Sequence, residues 1–224
     1  MTTFIEGGVT AAKGFQAAGV HCGIRKNRAK KDLGLIVSDR PASAAAVYTR
    51  NLVKGAPLTV TQAHIADGRA RAIVCNSGIA NTCAFDGIEK AEAMCALTAE
   101  ALGIDAADVV VASTGVIGPS IDIAPIAAGL PRLAAALSAQ GSADAAEAIM
   151  TTDTRKKEFA VTFQADGRTC TLGGIAKGSG MIAPNMATML CFLTTDAAIA
   201  PQLLHEALLA VVDDTFNMLS VDGD

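Results

Sequence analysis

The sequence predicts a layered α/β protein, and three observations carry that reading. The core material is aliphatic: 51% of residues are hydrophobic, only 4% are aromatic, and Trp is absent. Ala, Val, Ile and Leu in that proportion suit closely packed sheets and helices. Short β-branched runs give way repeatedly to glycine-containing polar loops, and segments with apolar residues at helical spacing lie between them. At 224 residues the chain can build one large domain or two small ones around a sizeable core.

The opening stretch, GGVTAAKGFQAAGVHCGIR, is glycine-rich and reads as irregular. Strands are expected at 33–39 (LGLIVSD) and 44–51 (AAAVYTRN), with a turn at Pro41 between them. Residues 70–81 read as a strand running into a polar loop, and 108–118 repeat that design. Helical spacing marks 88–104, with Gly103 at its C-terminal cap. A second helix is expected over 123–139, broken near Gly129-Leu130-Pro131, and another ends near residue 150. EFAVTFQ and RTCTLGGIA form strands joined at Ala165-Asp166-Gly167, a hairpin signal. A buried strand at 187–197 precedes an amphipathic helix over 201–220 that starts at Pro201. No repeat, low-complexity tract or linker interrupts the chain, which closes on the turn-rich SVDGD.

A net charge of −4 offers no electrostatic footprint for nucleic acid or an anionic membrane. The N-terminus lacks the charged-then-apolar pattern of a signal peptide. No apolar run approaches the roughly 18 residues of a membrane span. Six cysteines occur without a CxxC pair, and buried, reduced thiols are expected. Together these features predict a soluble, cytoplasmic protein.

Chemistry is expected where strands hand over to loops. Three such junctions carry small polar residues: Asn76-Ser77-Gly78, Ser113-Thr114-Gly115 and Lys177 to Thr188. A Thr-Gly turn offers backbone N–H groups to a developing oxyanion, although a plain turn would look the same. The third junction, GIAKGSGMIAPNMATMLC, admits three readings. Its lysine precedes the glycines, the reverse of a P-loop, so phosphate binding is disfavoured. An ordinary turn explains one or two glycines but not the lysine and proline as well. Self-processing explains more. A threonine hydroxyl can attack the preceding carbonyl, and hydrolysis of the resulting ester frees an N-terminal threonine whose α-amine becomes its general base. The small Ala187 before Thr188 suits that attack.

Other tempting groups read as structural. His21, His64 and His205 are assigned to packing or solvent. Asp213 and Asp214 are adjacent on a helix and do not share a face. Arg25, Lys26, Arg28, Lys30 and Lys31 form a basic cluster, either solvated or flanking an anionic substrate's way in. Asn76, Ser77 and Asn81 are expected to brace loops, with pocket lining as the alternative.

GIAKGSGMIAPNMATMLCFLTTDA resembles the autocleavage region of the ornithine acetyltransferase family, also called glutamate N-acetyltransferase or the arginine-biosynthesis bifunctional family. The resemblance extends through NSGIANTC (76–83), ASTGVIG (112–118), MTTDTRKK (150–157) and DDTFNMLSVDGD (213–224). It implies a layered sandwich of the self-cleaving, N-terminal-nucleophile aminopeptidase-like type. It implies cleavage between Ala187 and Thr188, so that 1–187 forms an alpha chain and 188–224 begins a beta chain. Thr188 is then the nucleophile, Thr114 and Gly115 the oxyanion hole, and Thr151, Lys177 and Thr188 the substrate contacts, with Thr151 favoured over Thr154. The implied reaction moves acetyl from N2-acetylornithine to glutamate through acetyl-threonine, without metal or resident cofactor; some members also accept acetyl-CoA. The two chains are expected to associate as a heterotetramer or larger. The resemblance also implies a further half beyond this chain, without which the pocket is incomplete and the chain inactive. A related self-processing aminopeptidase or amidase, and an inactive fragment that only associates, are the alternatives.

Overall fold

The computed structural model describes residues 2–182 and 188–222. Strand β1 spans Thr3–Ile5, β2 Phe15–Val20 and β3 Leu33–Ser43; helix α1 is Ala56–His64. Strand β4 (Arg69–Ile79), helix α2 (Gly87–Leu102) and strand β5 (Val109–Val116) follow. Helices α3 (Ile123–Ala135) and α4 (Ser142–Ala148) lead into β6 (Lys157–Ala165), β7 (Arg168–Lys177), β8 (Leu190–Thr195) and α5 (Pro201–Val212). Two four-stranded sheets result, ordered β2-β3-β4-β5 and β1-β6-β7-β8. All neighbouring strands run antiparallel except β4 and β5. A parallel pair needs a crossover, and α2 supplies it.

Two apolar layers hold these parts together. Leu33, Leu35, Val74 and Val111 of the first sheet pack against Met94 of α2 and Ile126, Leu130 and Leu133 of α3. On the opposite face, Ile36, Cys75 and Ala112 meet Ile175 and Phe192 of the second sheet, with Ala145 and Ile149 beside them. Ile126 is fully buried, so Ile126→Ala should lower unfolding free energy by about 2–5 kcal/mol in a urea melt. The far face of the second sheet stays apolar and open: Phe4 is 81% exposed, Phe159 39% and Leu193 36%. Register puts these three on one face, because Phe4 opposes Val161 while Phe159 and Leu193 flank Gly174.

Several expectations need correction. Pro41 makes no turn: β3 runs through it, and the register with β4 shifts between Val37 and Ala42. A bulge tolerates the missing Pro N–H. Residues 44–51 are not a strand, because their β-favouring composition finds no partner edge. The irregular opening contains β2, and α1 carried no recognised sequence signal. Helix α3 passes unbroken through Pro131, where packing of Ile126, Leu130 and Leu133 outweighs the lost backbone bond. Helix α5 stops at Val212, and a short 3₁₀ turn covers Phe216–Met218. The hairpin at Ala165–Arg168 and the Gly103 cap, at φ 65°, appear as read.

Candidate active site

Parallel pairing of β4 and β5 sets the first half of the site. Ser77 opposes Thr114, and Gly78 opposes Gly115, so two strand-to-loop junctions lie side by side. Gly115 has φ 134°, and a Cβ there would fall 2.3 Å from the Gly78 carbonyl carbon. Only glycine lets the strand ends approach so closely. Lys177, the last residue of β7, reaches over from the second sheet. Its Nζ donates to Thr114 Oγ1 at 3.2 Å, and both residues are buried. With Oγ1 accepting from the lysine, the hydroxyl hydrogen of Thr114 is free to donate elsewhere.

Burial pulls the Lys177 ammonium below its ordinary 10.5, with the Asp153 carboxylate opposing. Cys75 lies close by on β4, fully buried, and burial pushes its thiol up to about 12. A thiol held in that state is a packing group rather than a nucleophile.

Gly178 follows Lys177 with φ 149°. A Cβ on it would lie 3.4 Å from Met189 Cβ and 3.6 Å from the Thr188 carbonyl oxygen. Thr188 therefore sits beside the Lys177–Gly178 turn. It is exposed and has φ 54°, a left-handed conformation that a β-branched residue resists by about 1–3 kcal/mol. Ala187, the residue before the expected cut, lies outside the described residues.

Thr151 is half-buried at the loop after α4, and its N–H donates to Asp153 Oδ2 at 3.2 Å. Asp153 Oδ1 accepts from Gly178 N at 2.9 Å and Lys157 Nζ at 2.5 Å. Burial raises the Asp153 carboxyl, but Lys157 and the two backbone donors outweigh that and hold it below 3.8. The Thr152 hydroxyl bonds Ser179 Oγ at 2.7 Å. Thr151 is thus tied to the Lys177 loop, whereas Thr154 is exposed.

Sequence alone gave no role to Asp153 or Asp222 and placed Arg25 in a basic cluster. Arg25 leaves the basic cluster: it is half-buried, its Nη2 donates to the Met150 carbonyl, and its Cγ lies 3.1 Å from where a Gly78 Cβ would be. Lys26, Arg28 and Lys30 are solvated, and Lys31 pairs with Asp144 and Glu147. Only the TTDT and SVDGD motifs hinted at Asp153 and Asp222, since their bonds to the loop ahead of Thr188 go to distant backbone amides: Gly178 N for Asp153, Met181 N and Ile182 N for Asp222.

The remaining polar residues are braces. Ser77 Oγ donates to the Ala148 carbonyl at 2.6 Å, Asn76 Nδ2 to Ile79 O at 2.9 Å, and Asn81 Nδ2 to Gly87 O at 2.8 Å. His21 pairs with buried Asp32 at 3.2 Å, and His64 Nδ1 meets Val109 O at 2.8 Å. His205 lines a separate cleft of about 470 Å³ with Tyr48 and Glu206. Asp213 and Asp214 are exposed at the end of α5. The six cysteines are free thiols; Cys83 is exposed, against expectation. Among the described residues no cluster of three or more His, Cys, Asp or Glu is arranged to hold a metal. No described helix is long and apolar enough to cross a membrane.

Two packed four-stranded sheets flanked by helices, with polar side chains meeting at their strand ends, make a layered sandwich of the N-terminal-nucleophile hydrolase type. An aminopeptidase of that fold from Ochrobactrum anthropi superposes with TM-score 0.55 at 13% identity, covering 99% of this chain and 72% of its own, a likeness of fold alone. The chain belongs to the ArgJ family, whose model matches residues 16–224. It is 52% identical over 223 residues to the arginine biosynthesis bifunctional protein ArgJ of Symbiobacterium thermophilum, covering 99% of this chain and 56% of that protein. The chain thus spans about half the length of the curated relatives it matches. The ornithine acetyltransferase of Mycobacterium tuberculosis, solved in complex with ornithine, superposes with TM-score 0.77 at 37% identity, covering 85% of this chain and all of that one.

Proposed function

We propose that this chain carries the nucleophile of a self-cleaving acetyltransferase of arginine biosynthesis. Thr188 Oγ attacks the Ala187 carbonyl carbon. The peptide C–N bond breaks, the hydroxyl proton passes to the departing nitrogen, and an ester joins Ala187 to Thr188. Water hydrolyses that ester to leave a carboxylate on Ala187 and a free α-amine on Thr188. The α-amine then takes the Oγ proton as Oγ attacks the acetyl group of N2-acetylornithine, and returns it to the ornithine nitrogen as ornithine departs. Glutamate's amine attacks the acetyl-threonine, forming N-acetylglutamate and restoring the hydroxyl. Acetyl-CoA is proposed as a second acetyl donor.

The observation that carries this reading is the meeting of Lys177, Thr114 and the Thr188 turn where the two sheets end. Thr114 and the Gly115 N–H stabilise the oxyanion. Lys177 orients Thr114 and, with Thr151, receives a substrate carboxylate. These donors and the α-amine meet the charge demands of acyl transfer without a metal or cofactor.

The exposed Phe4, Phe159 and Leu193 support continued association of the cleavage products and their assembly into a heterotetramer or larger. Residues 1–187 then form the alpha chain and 188–224 begin the beta chain, in the cytoplasm. The present chain without a further half is expected to be inactive.

The decisive experiment incubates the cleaved full-length enzyme with acetylornithine, with and without glutamate. Ornithine release that depends on glutamate is expected; release that ignores glutamate would point to a hydrolase of the same architecture. Lys177→Gln should raise KM for both amino-acid substrates by about 10–100-fold, the worth of one charge-assisted hydrogen bond, in steady-state kinetics.

A further inference from the structure

We infer that Asp222, helped by Asp153, clamps the loop ahead of Thr188 in the path that self-cleavage requires. The inference rests on the proposed cleavage and assigns positioning residues to it. Asp222 Oδ2 accepts from Met181 N at 2.5 Å, and Oδ1 accepts from Ile182 N at 3.0 Å. Val221 N donates back to the Ile182 carbonyl at 3.1 Å, so a short two-way bridge joins 221–222 to 181–182. Asp153 holds the other end of the same loop through Gly178 N at 2.9 Å.

The clamped backbone is not relaxed. Met181 has φ 55° and Gly178 φ 149°, and Thr188 beyond them has φ 54°. Two successive N–H groups directed at one carboxylate form an anion-binding concavity, the arrangement that rewards such a path. Ile182 is pinned by Asp222, and Thr188 leads directly into β8 at Leu190. The described residues on either side of the scissile bond are therefore both held, which favours the encounter of Thr188 Oγ with the Ala187 carbonyl. Asp222 follows Thr188 in sequence, so after the cut the same bonds run between the two products.

The test follows self-cleavage of the full-length gene product by intact mass. Asp222→Asn replaces one acceptor oxygen with a donor that faces an N–H. It should slow the cut by about 10–100-fold, the scale on which a small misplacement of reacting groups costs rate. Hydroxylamine, which opens an ester already formed, should not restore that rate, because the clamp acts on the N-to-O shift. Asp222→Glu, with both oxygens kept, should cut faster than Asp222→Asn. Gly180→Ala is the second variant, useful if Asp222→Asn does not fold: its Cβ would stand 3.1 Å from Asp222 Oδ2 and displace the carboxylate without removing it. It too should cut slowly.

A wild type that cuts before Thr188 alongside variants that match its rate overturns the clamp alone. So does full rescue by hydroxylamine, or an Asp222→Glu no faster than Asp222→Asn. A wild type that never cuts at Thr188 instead overturns the self-cleavage reading.

Discussion

Thr188→Ala should leave the full-length protein whole, while the wild type resolves by intact mass into two chains that part before Thr188. The expectation follows from the residue's two tasks. Its hydroxyl is the only atom in the proposal that attacks the preceding carbonyl, and the amine released by that attack is the base for acetyl transfer. Removing Oγ ends both, so transfer should fall by at least about 10⁴-fold, as when a covalent nucleophile is deleted. Stability should change little or rise, because Ala tolerates the φ of 54° more easily than a β-branched side chain. Thr188→Ser keeps the oxygen and should still cut. A Thr188→Ala protein that cleaves at the same bond would remove threonine from the chemistry altogether.

Gly115→Ala is expected to damage both fold and catalysis. The new Cβ would lie 2.3 Å from the Gly78 carbonyl carbon and 2.4 Å from its oxygen, on a backbone whose φ of 134° already disfavours side chains. Neither neighbour can swing aside, because both are main chain in the β4–β5 ladder. Strain and overpacking together should cost about 2–5 kcal/mol in a denaturant melt. The strand ends must also separate, which moves the Gly115 N–H and Thr114 away from the oxyanion, at about 10²–10³-fold in kcat. Gly118→Ala is the control: its φ is 105°, but nothing lies within 4 Å of the added carbon. It should lose only about 1–2 kcal/mol of backbone strain and keep most activity.

How legible the fold was depended on how locally each element is specified. The α2 repeat with its glycine cap, the strands that run into Ser77-Gly78 and Thr114-Gly115, and the Ala165–Arg168 hairpin carry their signals within a few residues. The failures share a cause. Residues 44–51 have strand composition but no available edge, and Pro41 looks like a terminator until the β3–β4 bulge accommodates it. Pro131 looks like a break until three core side chains hold α3 together across it. In each case the presence or absence of a non-local partner outweighed a local preference.

The site divides along the same line. Composition and strand-to-loop patterning by themselves determined a layered α/β protein with small polar groups at three junctions, and motif order determined the family. They could not show that Lys177 crosses between sheets to Thr114, that Arg25 leaves its basic cluster for the Met150 carbonyl, or that Asp153 and Asp222 hold the loop before Thr188. Lys177 and Thr114 are 63 residues apart, and Asp222 and Ile182 are 40 apart. No local spacing encodes such pairs. They exist because burial of Ile36, Cys75, Ile175 and Phe192 brings the two sheets face to face, and strand register then decides which polar ends meet.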